Sequence, residues 1–589
     1  MEKWFIKNIK SNGVDFKDFG INKYIYKILV NRNIDTVEKI GKFLNPNLEN
    51  LNTPILLPDM IKASNFIINA IKENKKIRIV GDYDVDGVMS TYILVKGLKR
   101  IGANVDFEIP HRVIDGYGIN KRIIEDSIVD GVELIITCDN GIAAYEEIEY
   151  ANENNVDVIV TDHHEVPMGI DREEIIPNAR AVIDPKLSNS KYPFREICGG
   201  VVAFKLINYL YSIQGIEDSE LFEEFLPFAA IATICDVMPL VDENRIIIKE
   251  GLELINRTKN KGLKAIISES DLLGAEITSY HIGFVIGPTI NSAGRLESAK
   301  DALNLFFEED ENKAIEIAKY LRGLNAKRQN MTDEGYIKVI DTIESNNLVN
   351  KFPILILKED SIDESILGII AGRVKEKYNR PTIVLTKSGD FLKGSGRSIE
   401  NYDMFEKVSE SKNYLERFGG HAMACGLSLK EENFKDFVID VNRKSKLTRD
   451  DLLRRIYIDS SIEFKDVKID LAYSLEKLKP FGNANPQPLF GTLNLNIVKF
   501  NVFGKNKNVI KLVLSDGFEN RQALLFEKLE DFVEKISKSY EKEEIDNMLR
   551  GLKSNIFLDI VYTPEINSFR GNESLELKIN SYRVSGVKL

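Results

Sequence analysis

Apolar residues fall into two rhythms along this chain. Short, mostly apolar runs, Ile77–Val80 (IRIV), Val132–Cys138 (VELIITC), Val156–Thr161 (VDVIVT) and Ala181–Asp184 (AVID), predict buried strands. Between them lie stretches with helical spacing, such as VMSTYILVKGLKR after Gly87. Strands that alternate with helices predict a parallel, doubly wound α/β sheet with helices on both faces. Upstream, IKASNFIINAIKENKK has helical periodicity, and Asn45–Met60 reads as extended loop from its prolines and asparagines. Asp301–Ser345 is helical, charged and poor in glycine and proline, which predicts one or two long connecting helices. A second, smaller α/β region follows, with strands at Pro353–Leu357 and Thr382–Thr386 around the helix GIIAGRVKEKY, and ends near Lys446. The remaining residues alternate apolar and polar positions, as in TLNLNIVKF and NVIKLVL, and predict a small β-barrel. The expected organisation is an N-terminal segment (1–45), a first α/β domain with its connector helix (46–335), a second α/β domain (336–450) and a C-terminal barrel (451–589).

Composition narrows the class. At 589 residues, with 43% hydrophobic and 29% charged, the chain is a globular protein of several domains. Its longest apolar stretch, Leu226–Val241, is interrupted by Asp236 and falls short of a membrane span. The N-terminus lacks the apolar core of a secretory signal. Four cysteines without a CxxC pair argue against a disulfide framework and a zinc finger, so a cytoplasmic location is expected. A net charge of −12 excludes a uniformly basic coat for nucleic acid, although carboxylates gathered around cations contribute to such a sum.

The candidate chemistry sits at strand ends. IRIV runs into Gly81-Asp82-Tyr83-Asp84-Val85-Asp86-Gly87. A helix N-cap accounts for one of these aspartates. Three clustered carboxylates repel unless a cation compensates, and hard oxygen ligands suit Mg²⁺ or Mn²⁺. The second strand ends in Asp139-Asn140-Gly141 and the third in Asp162-His163-His164. Strand ends of a parallel sheet gather on one edge, so carboxylates and imidazoles converge there. Asp236, inside the apolar IATICDVMPL, needs a partner, either a single salt bridge or the same metal centre. Two metals held this way suit hydrolysis of a phosphate ester or anhydride. Of the other histidines, His281 reads as a core or capping residue.

GDYDVDG, TCDNG, TDHH and ATICDVMPL, in this order, resemble the four motifs of the DHH phosphoesterase superfamily. LLPDM, PHRVIDGYG, CGGVVAFKL, GPTINSAGRLESA, GSGRS and RFGGHAMACG narrow the resemblance to the RecJ family of bacterial single-strand-specific exonucleases, over about residues 40 to 500. The resemblance implies a 5′→3′ exonuclease on single-stranded DNA that releases 5′-mononucleotides with two Mn²⁺ or Mg²⁺ ions, in recombination and repair. By motif match, Asp82, Asp84, Asp86, Asp139, His163 and Asp236 form the metal set. Asp139 bridges the ions, His164 faces the scissile phosphate and Asp162 orients the imidazoles. Relatives often carry histidine where this chain has Val80, which shifts weight onto Asp82. Arg112, Tyr117, Arg295, Arg397, Ser398 and His421 fall in motifs that contact the substrate. The resemblance also implies a DHHA1-type second domain, an OB-type barrel, and two α/β domains facing each other across the connector. Single-strand-binding protein and a RecQ-type helicase are the implied partners, and nothing demands more than a monomer.

In the barrel, Gly491–Leu525 holds five basic residues (Lys499, Lys505, Lys507, Lys511 and Arg521) against Asp516 and Glu519. Phe500 and Phe503 lie among them, as base-stacking residues or as core. Two other readings compete: a phosphodiesterase for very short oligonucleotides or cyclic dinucleotides, which such a long chain disfavours, and an inactive scaffold, which the complete acid set disfavours.

Overall fold

The structure, a computed structural model, describes residues 2–9, 16–169, 171–569 and 571–586. Part of the N-terminal segment, residues 10–15, therefore lies outside the described residues. The chain forms two compact units. One comprises Leu51–Met238 and Ile247–Arg454, the other Glu2–Asn50, Pro239–Ile246 and Arg455–Leu589.

The first unit opens with the expected parallel sheet. Its strands are β1 (Lys76–Val80), β2 (Asn104–Glu108), β3 (Leu134–Cys138), β4 (Asp157–Thr161) and β5 (Ala181–Ile183), in the order β2-β1-β3-β4-β5. All neighbours run parallel. The central strands are apolar because both faces are covered. Strand β2, NVDFE, has no apolar run because it lies at the edge, and the sequence pattern missed it. The order reverses between β1 and β3, and ligands of such sheets bind at that point, beyond the carboxyl ends. Helix α1 (Val85–Arg100) follows β1 and is buried on nearly every side. It packs against α2 (Gly199–Gln214) and α3 (Asp218–Cys235).

Helix α4 (Gly287–Leu296) and a short helix at Ala299–Phe307 lead to α5 (Glu311–Ser345), the long connector. Its 35 residues span about 52 Å at the usual rise. The second sheet comprises β6 (Leu355–Lys358), β7 (Thr382–Ser388), β8 (Phe391–Arg397), β9 (Arg417–His421) and β10 (Ala424–Lys430), with α6 (Leu367–Tyr378) between β6 and β7. Its order is β9-β10-β8-β7-β6, and only the β6–β7 pair is parallel. The antiparallel half had escaped the sequence pattern, since its strands are rich in glycine and half exposed.

The second unit is built on the expected barrel. Strands β11 (Ser460–Ser461), β12 (Phe490–Phe503), β13 (Val509–Ser515), β14 (Asn520–Leu525), β15 (Phe557–Phe569) and β16 (Asn572–Val584) form one sheet. It closes through β12–β15 pairing, which removes the open edges. Phe500 lies in the barrel core, its ring 5.6 Å from that of Phe532, while Phe503 is half exposed. The N-terminal helices Lys23–Val30 and Val37–Leu44 place Ile25, Ile28, Ile40 and Phe43 in the same hydrophobic core as Phe464 and Leu471. Residues 1–45 are thus no separate segment where described. Arg245 clamps this core: its guanidinium donates to the carbonyls of Phe43 (2.9 Å), Leu478 (3.0 Å) and Lys477 (3.1 Å). Among the described residues no helix is long and apolar enough to cross a membrane.

Candidate metal centre

The loop after β1 places its three aspartates in different ways. Asp84 caps α1, its Oδ1 accepting the Gly87 N–H at 3.1 Å. Asp82 and Asp86 are buried. The two oxygens of Asp86 accept the Gly199 and Gly200 N–H groups, each at 2.7 Å. Those donors are the unpaired first turn of α2, where the helix dipole favours an anion. The two glycines let α2 come this close. A Cβ on Gly199 would lie 2.7 Å from the Asp139 Cβ, and one on Gly200 would lie 2.6 Å from the Ala232 Cβ. Gly199→Ala must push Asp139 aside, and an ångström of misplacement costs about 100-fold in rate. We expect a loss of that order in steady-state cleavage, together with a lower melting temperature, since overpacking a buried contact costs about 1–3 kcal/mol.

Asp139 follows β3 with φ of +61°, a left-handed conformation unusual outside glycine. The Tyr117 hydroxyl donates to its carbonyl at 2.6 Å. Asn140 ties neighbouring strand ends together, donating to the carbonyls of Val80 (3.1 Å) and Cys138 (2.9 Å). Asp236 ends α3 and is followed by Val237 at φ +57°, a strained position for a β-branched residue.

His163 joins the acids. Its Nε2 lies 3.0 Å from Asp139, 3.5 Å from Asp86 and 3.8 Å from Asp236. Three sets of potential ligand atoms result: Asp82, Asp84 and Asp139; Asp86, His163 and Asp236; and Asp139, His163 and His164, each within 4.8 Å. All six residues of the expected metal set are therefore brought together, and Asp139 belongs to two of the sets. Asp162 is satisfied on all sides. It accepts the backbone N–H groups of His163 (2.7 Å), His164 (3.3 Å) and Ile142 (2.9 Å), and pairs with His164 Nδ1 at 2.8 Å. It orients the His164 ring and meets His163 through the backbone N–H, and the His163 Nδ1 is buried without a hydrogen-bond partner among the described residues.

The electrostatics call for cations. Burial first, and neighbouring carboxylates second, raise Asp82, Asp84 and Asp139 above the usual carboxylate range and push Asp236 up to about 8. Among the described residues, no lysine or arginine lies within ion-pair distance of the five aspartates. Burial holds His163 below its ordinary value. Burial opposes charge on His164 too, but the Asp162 carboxylate overrides it and lifts His164 to about 9. A crowd of oxygen donors with one imidazole, and with no lysine or arginine paired to it among the described residues, fits hard divalent cations.

Beside the acids lies a cavity of about 470 Å³ lined from both α/β domains, by Tyr83, Arg112, Arg295, Ser395, Arg397 and Arg417 among others. Tyr83, between Asp82 and Asp84, carries the Arg112 guanidinium 4.8 Å above its ring. Arg295 donates to the Ser365 carbonyl (2.9 Å), and Arg397 to the Ser395 hydroxyl (3.0 Å). Burial, then Arg112, Arg328 and Arg397, bring Arg295 down to about 10. Arginines that repel one another in a buried pocket suit a phosphate. Ser398 is not part of it: its buried hydroxyl donates to the Tyr402 carbonyl. Successive side chains of a strand alternate faces, so Ser395 and not Ser398 shares the face of Arg397. Tyr117 stands at the metal end, its hydroxyl 3.3 Å from the His164 ring nitrogens. His421 is exposed where β9 turns into β10 and does not line the cavity. His281 caps a turn, its Nδ1 accepting the Thr278 N–H at 3.1 Å.

Sequence reasoning missed Ser395, Arg328 and Arg417, and left Gly199 and Gly200 without a role. It also passed over Asp184 at the end of β5, a buried acid pushed up to about 8 by burial and by Asp162, with one oxygen unpartnered among the described residues.

Family models match three stretches: the DHH family, N-terminal domain, at residues 76–233, the DHHA1 domain at 350–446 and the RecJ OB domain at 458–581. The chain is 35% identical to the single-stranded-DNA-specific exonuclease RecJ of Bacillus subtilis, over 86% of this chain and 63% of that protein. It is 31% identical to that of Haemophilus influenzae, over 92% of this chain and 93% of that protein. A crystal structure of RecJ from Thermus thermophilus in complex with Mn²⁺ shares the fold, with a TM-score of 0.81 at 24% identity, over 99% of this chain and 79% of that one. Another, exonuclease RecJ bound to manganese, matches with a TM-score of 0.56 at 30% identity, over 67% of this chain and 96% of that one. By the extent of these matches, the chain belongs to the RecJ family of single-stranded-DNA-specific exonucleases.

Proposed function

We propose that this chain hydrolyses single-stranded DNA from the 5′ end and releases 5′-mononucleotides. The observation that carries the reading is the placement of Tyr83: it lines the arginine pocket, while its chain neighbours Asp82 and Asp84 belong to the acid cluster. A terminal phosphate held by Arg112, Arg295 and Arg397 leaves the adjoining phosphodiester at the acids, so cleavage starts at an end and removes one nucleotide at a time. Asp82, Asp84, Asp86, Asp139, His163 and Asp236 would hold two Mn²⁺ or Mg²⁺ ions. Bound there, such cations activate water and neutralise charge on the phosphate. The residues of the chain do the rest. Asp162 keeps the His164 ring oriented and protonated at neutral pH, which makes it a donor to a phosphate oxygen. Tyr117 and Asn140 hold Asp139 and the strand ends in place. Roles in recombination and repair and partnership with single-strand-binding protein and a RecQ-type helicase rest on the family alone; the cytoplasmic location rests on the composition of the chain, and no feature of the sequence demands more than a monomer.

Incubation with Mn²⁺ and oligonucleotides labelled at either end tests this. The 5′ label should leave at once as a mononucleotide, while the 3′-labelled twin shortens as a ladder. Cleavage confined to di- to tetranucleotides would move the chain to the small-substrate phosphodiesterases. Arg397→Ala should raise KM for 5′-phosphorylated strands about 10- to 100-fold, the worth of a charge-assisted hydrogen bond. Strands ending in a 5′-hydroxyl should be little affected.

A further inference from the structure

In the barrel unit, strand Glu2–Ile6 pairs with strand Arg454–Ile458 to form a separate two-stranded sheet. Its inner face is apolar: Trp4 packs with Ile456, Ile458, Leu489 and Val561, beneath the Arg583 guanidinium 4.6 Å from the indole ring. Its outer face is open. Phe5 and Tyr457 stand there side by side, 41% and 39% exposed, with ring centroids 5.7 Å apart and planes tilted by 30°. By strand alternation, Lys3, Lys7 and Arg455 share this face. The pairing continues to Lys7, whose N–H donates to the Ile458 carbonyl at 2.8 Å. The Arg455 Nε is buried and without a hydrogen-bond partner among the described residues. Within Glu2–Ile6 and Arg454–Ile458 no outer position is a carboxylate, and Asp459, the next residue in the alternation, is buried and accepts the Leu489 N–H at 3.0 Å.

We propose that this outer face is a stacking platform for single-stranded DNA, separate from the metal centre. Unpaired bases present flat apolar faces, which lie on adjacent exposed rings. The phosphates between them suit flanking cations, and this pairing of features serves single strands without regard to sequence. A duplex hides its base faces, so the platform selects unpaired strands. The platform rests on the substrate class proposed above and extends it to a second surface.

The test uses the full chain, with EDTA present so that nothing is cleaved, and fluorescence anisotropy of a labelled single strand of about 30 nucleotides, long enough for several contacts. A Phe5→Ala/Tyr457→Ala double variant should bind about tenfold or more weakly, in line with the loss of stacked bases. Tyr457→Phe, which keeps the ring, should bind as wild type. Arg455→Gln should lower the slope of log affinity against log salt by about one, as the loss of one phosphate contact does. Cleavage of a tetranucleotide with Mn²⁺ should not change in any of them. Affinity of the double variant within about twofold of wild type overturns the platform and leaves the face to a protein partner. An equal loss on the tetranucleotide also overturns it, since the effect would then run through the metal centre. Should the wild type bind long strands but cleave none, the exonuclease reading fails, and the anisotropy of the double variant still decides the platform.

Discussion

Asp84→Asn and His163→Ala each lower cleavage of single-stranded DNA by about 10³-fold or more, the effect of losing several kcal/mol of metal assistance, and leave the metal-free protein folded. The choice of asparagine matters. Asp84 caps α1 through the Gly87 N–H, and Asp84→Ala removes that cap along with the charge, at about 1 kcal/mol of stability. Asparagine caps as well as aspartate and removes only the charge. In the metal-free wild type, burial and neighbouring carboxylates hold Asp82, Asp84, Asp139 and Asp236 above the ordinary carboxylate range. Relieving one of them leaves the melting temperature of the metal-free variant at or above that of wild type. The rise in melting temperature on adding Mn²⁺ shrinks in the same variants. Thermal melts with EDTA and with Mn²⁺, beside the cleavage assay, separate lost metal binding from lost folding. Cleavage at the wild-type rate by either variant would sink the ligand assignment.

Most of the acid centre was legible because it sits on a repeating device. An apolar run leads into aspartate directly after β3 and β4 and across Gly81 after β1, and the geometry of a parallel sheet brings those ends together without further information. What was not legible depends on groups far apart in sequence or on a single step of register. The N–H groups of Gly199 and Gly200 reach Asp86 across more than a hundred residues, and no periodicity records that. The N-terminal helices share a core with the barrel in the same silent way. In GSGRS the two serines flank Arg397 on opposite strand faces, and a one-residue choice reverses which of them meets the phosphate cavity. Strand β2 was hidden by its edge position, where no face demands an apolar run. Phe500 and Phe503 stand three residues apart in an unbroken stretch of β12, so alternation alone sends them to opposite faces, and only the seating of that strand in the barrel decides which ring is core.

Mn²⁺ stabilises the protein more at pH 8 than at pH 5, and the direction follows from the acids. In the unfolded chain Asp82, Asp84, Asp139 and Asp236 ionise near 3.8; in the metal-free fold burial and neighbouring carboxylates raise them, Asp236 to about 8. Between those two values the native state binds more protons than the unfolded state, so stability of the metal-free protein falls as pH rises. His164 acts in the same direction. Its value near 9 exceeds the ordinary 6.5, so its pairing with Asp162 stabilises fully below pH 6.5 and is lost as pH passes 9. Cations need the carboxylates ionised, so protons compete with them at pH 5 and scarcely at pH 8. Binding to the native state alone then adds stability in proportion to the logarithm of ligand over dissociation constant. Calorimetry at pH 5, 6.5 and 8, with EDTA and with Mn²⁺, should show two curves that diverge as pH rises. Asp236→Asn should flatten the EDTA curve and narrow the gap. Asp184→Asn is the control: this acid is also raised to about 8 but lies outside the three ligand sets, so its replacement should lift the EDTA curve at pH 8 and leave the response to Mn²⁺ intact. Parallel curves for the wild type would mean that the raised acids do not hold the metal.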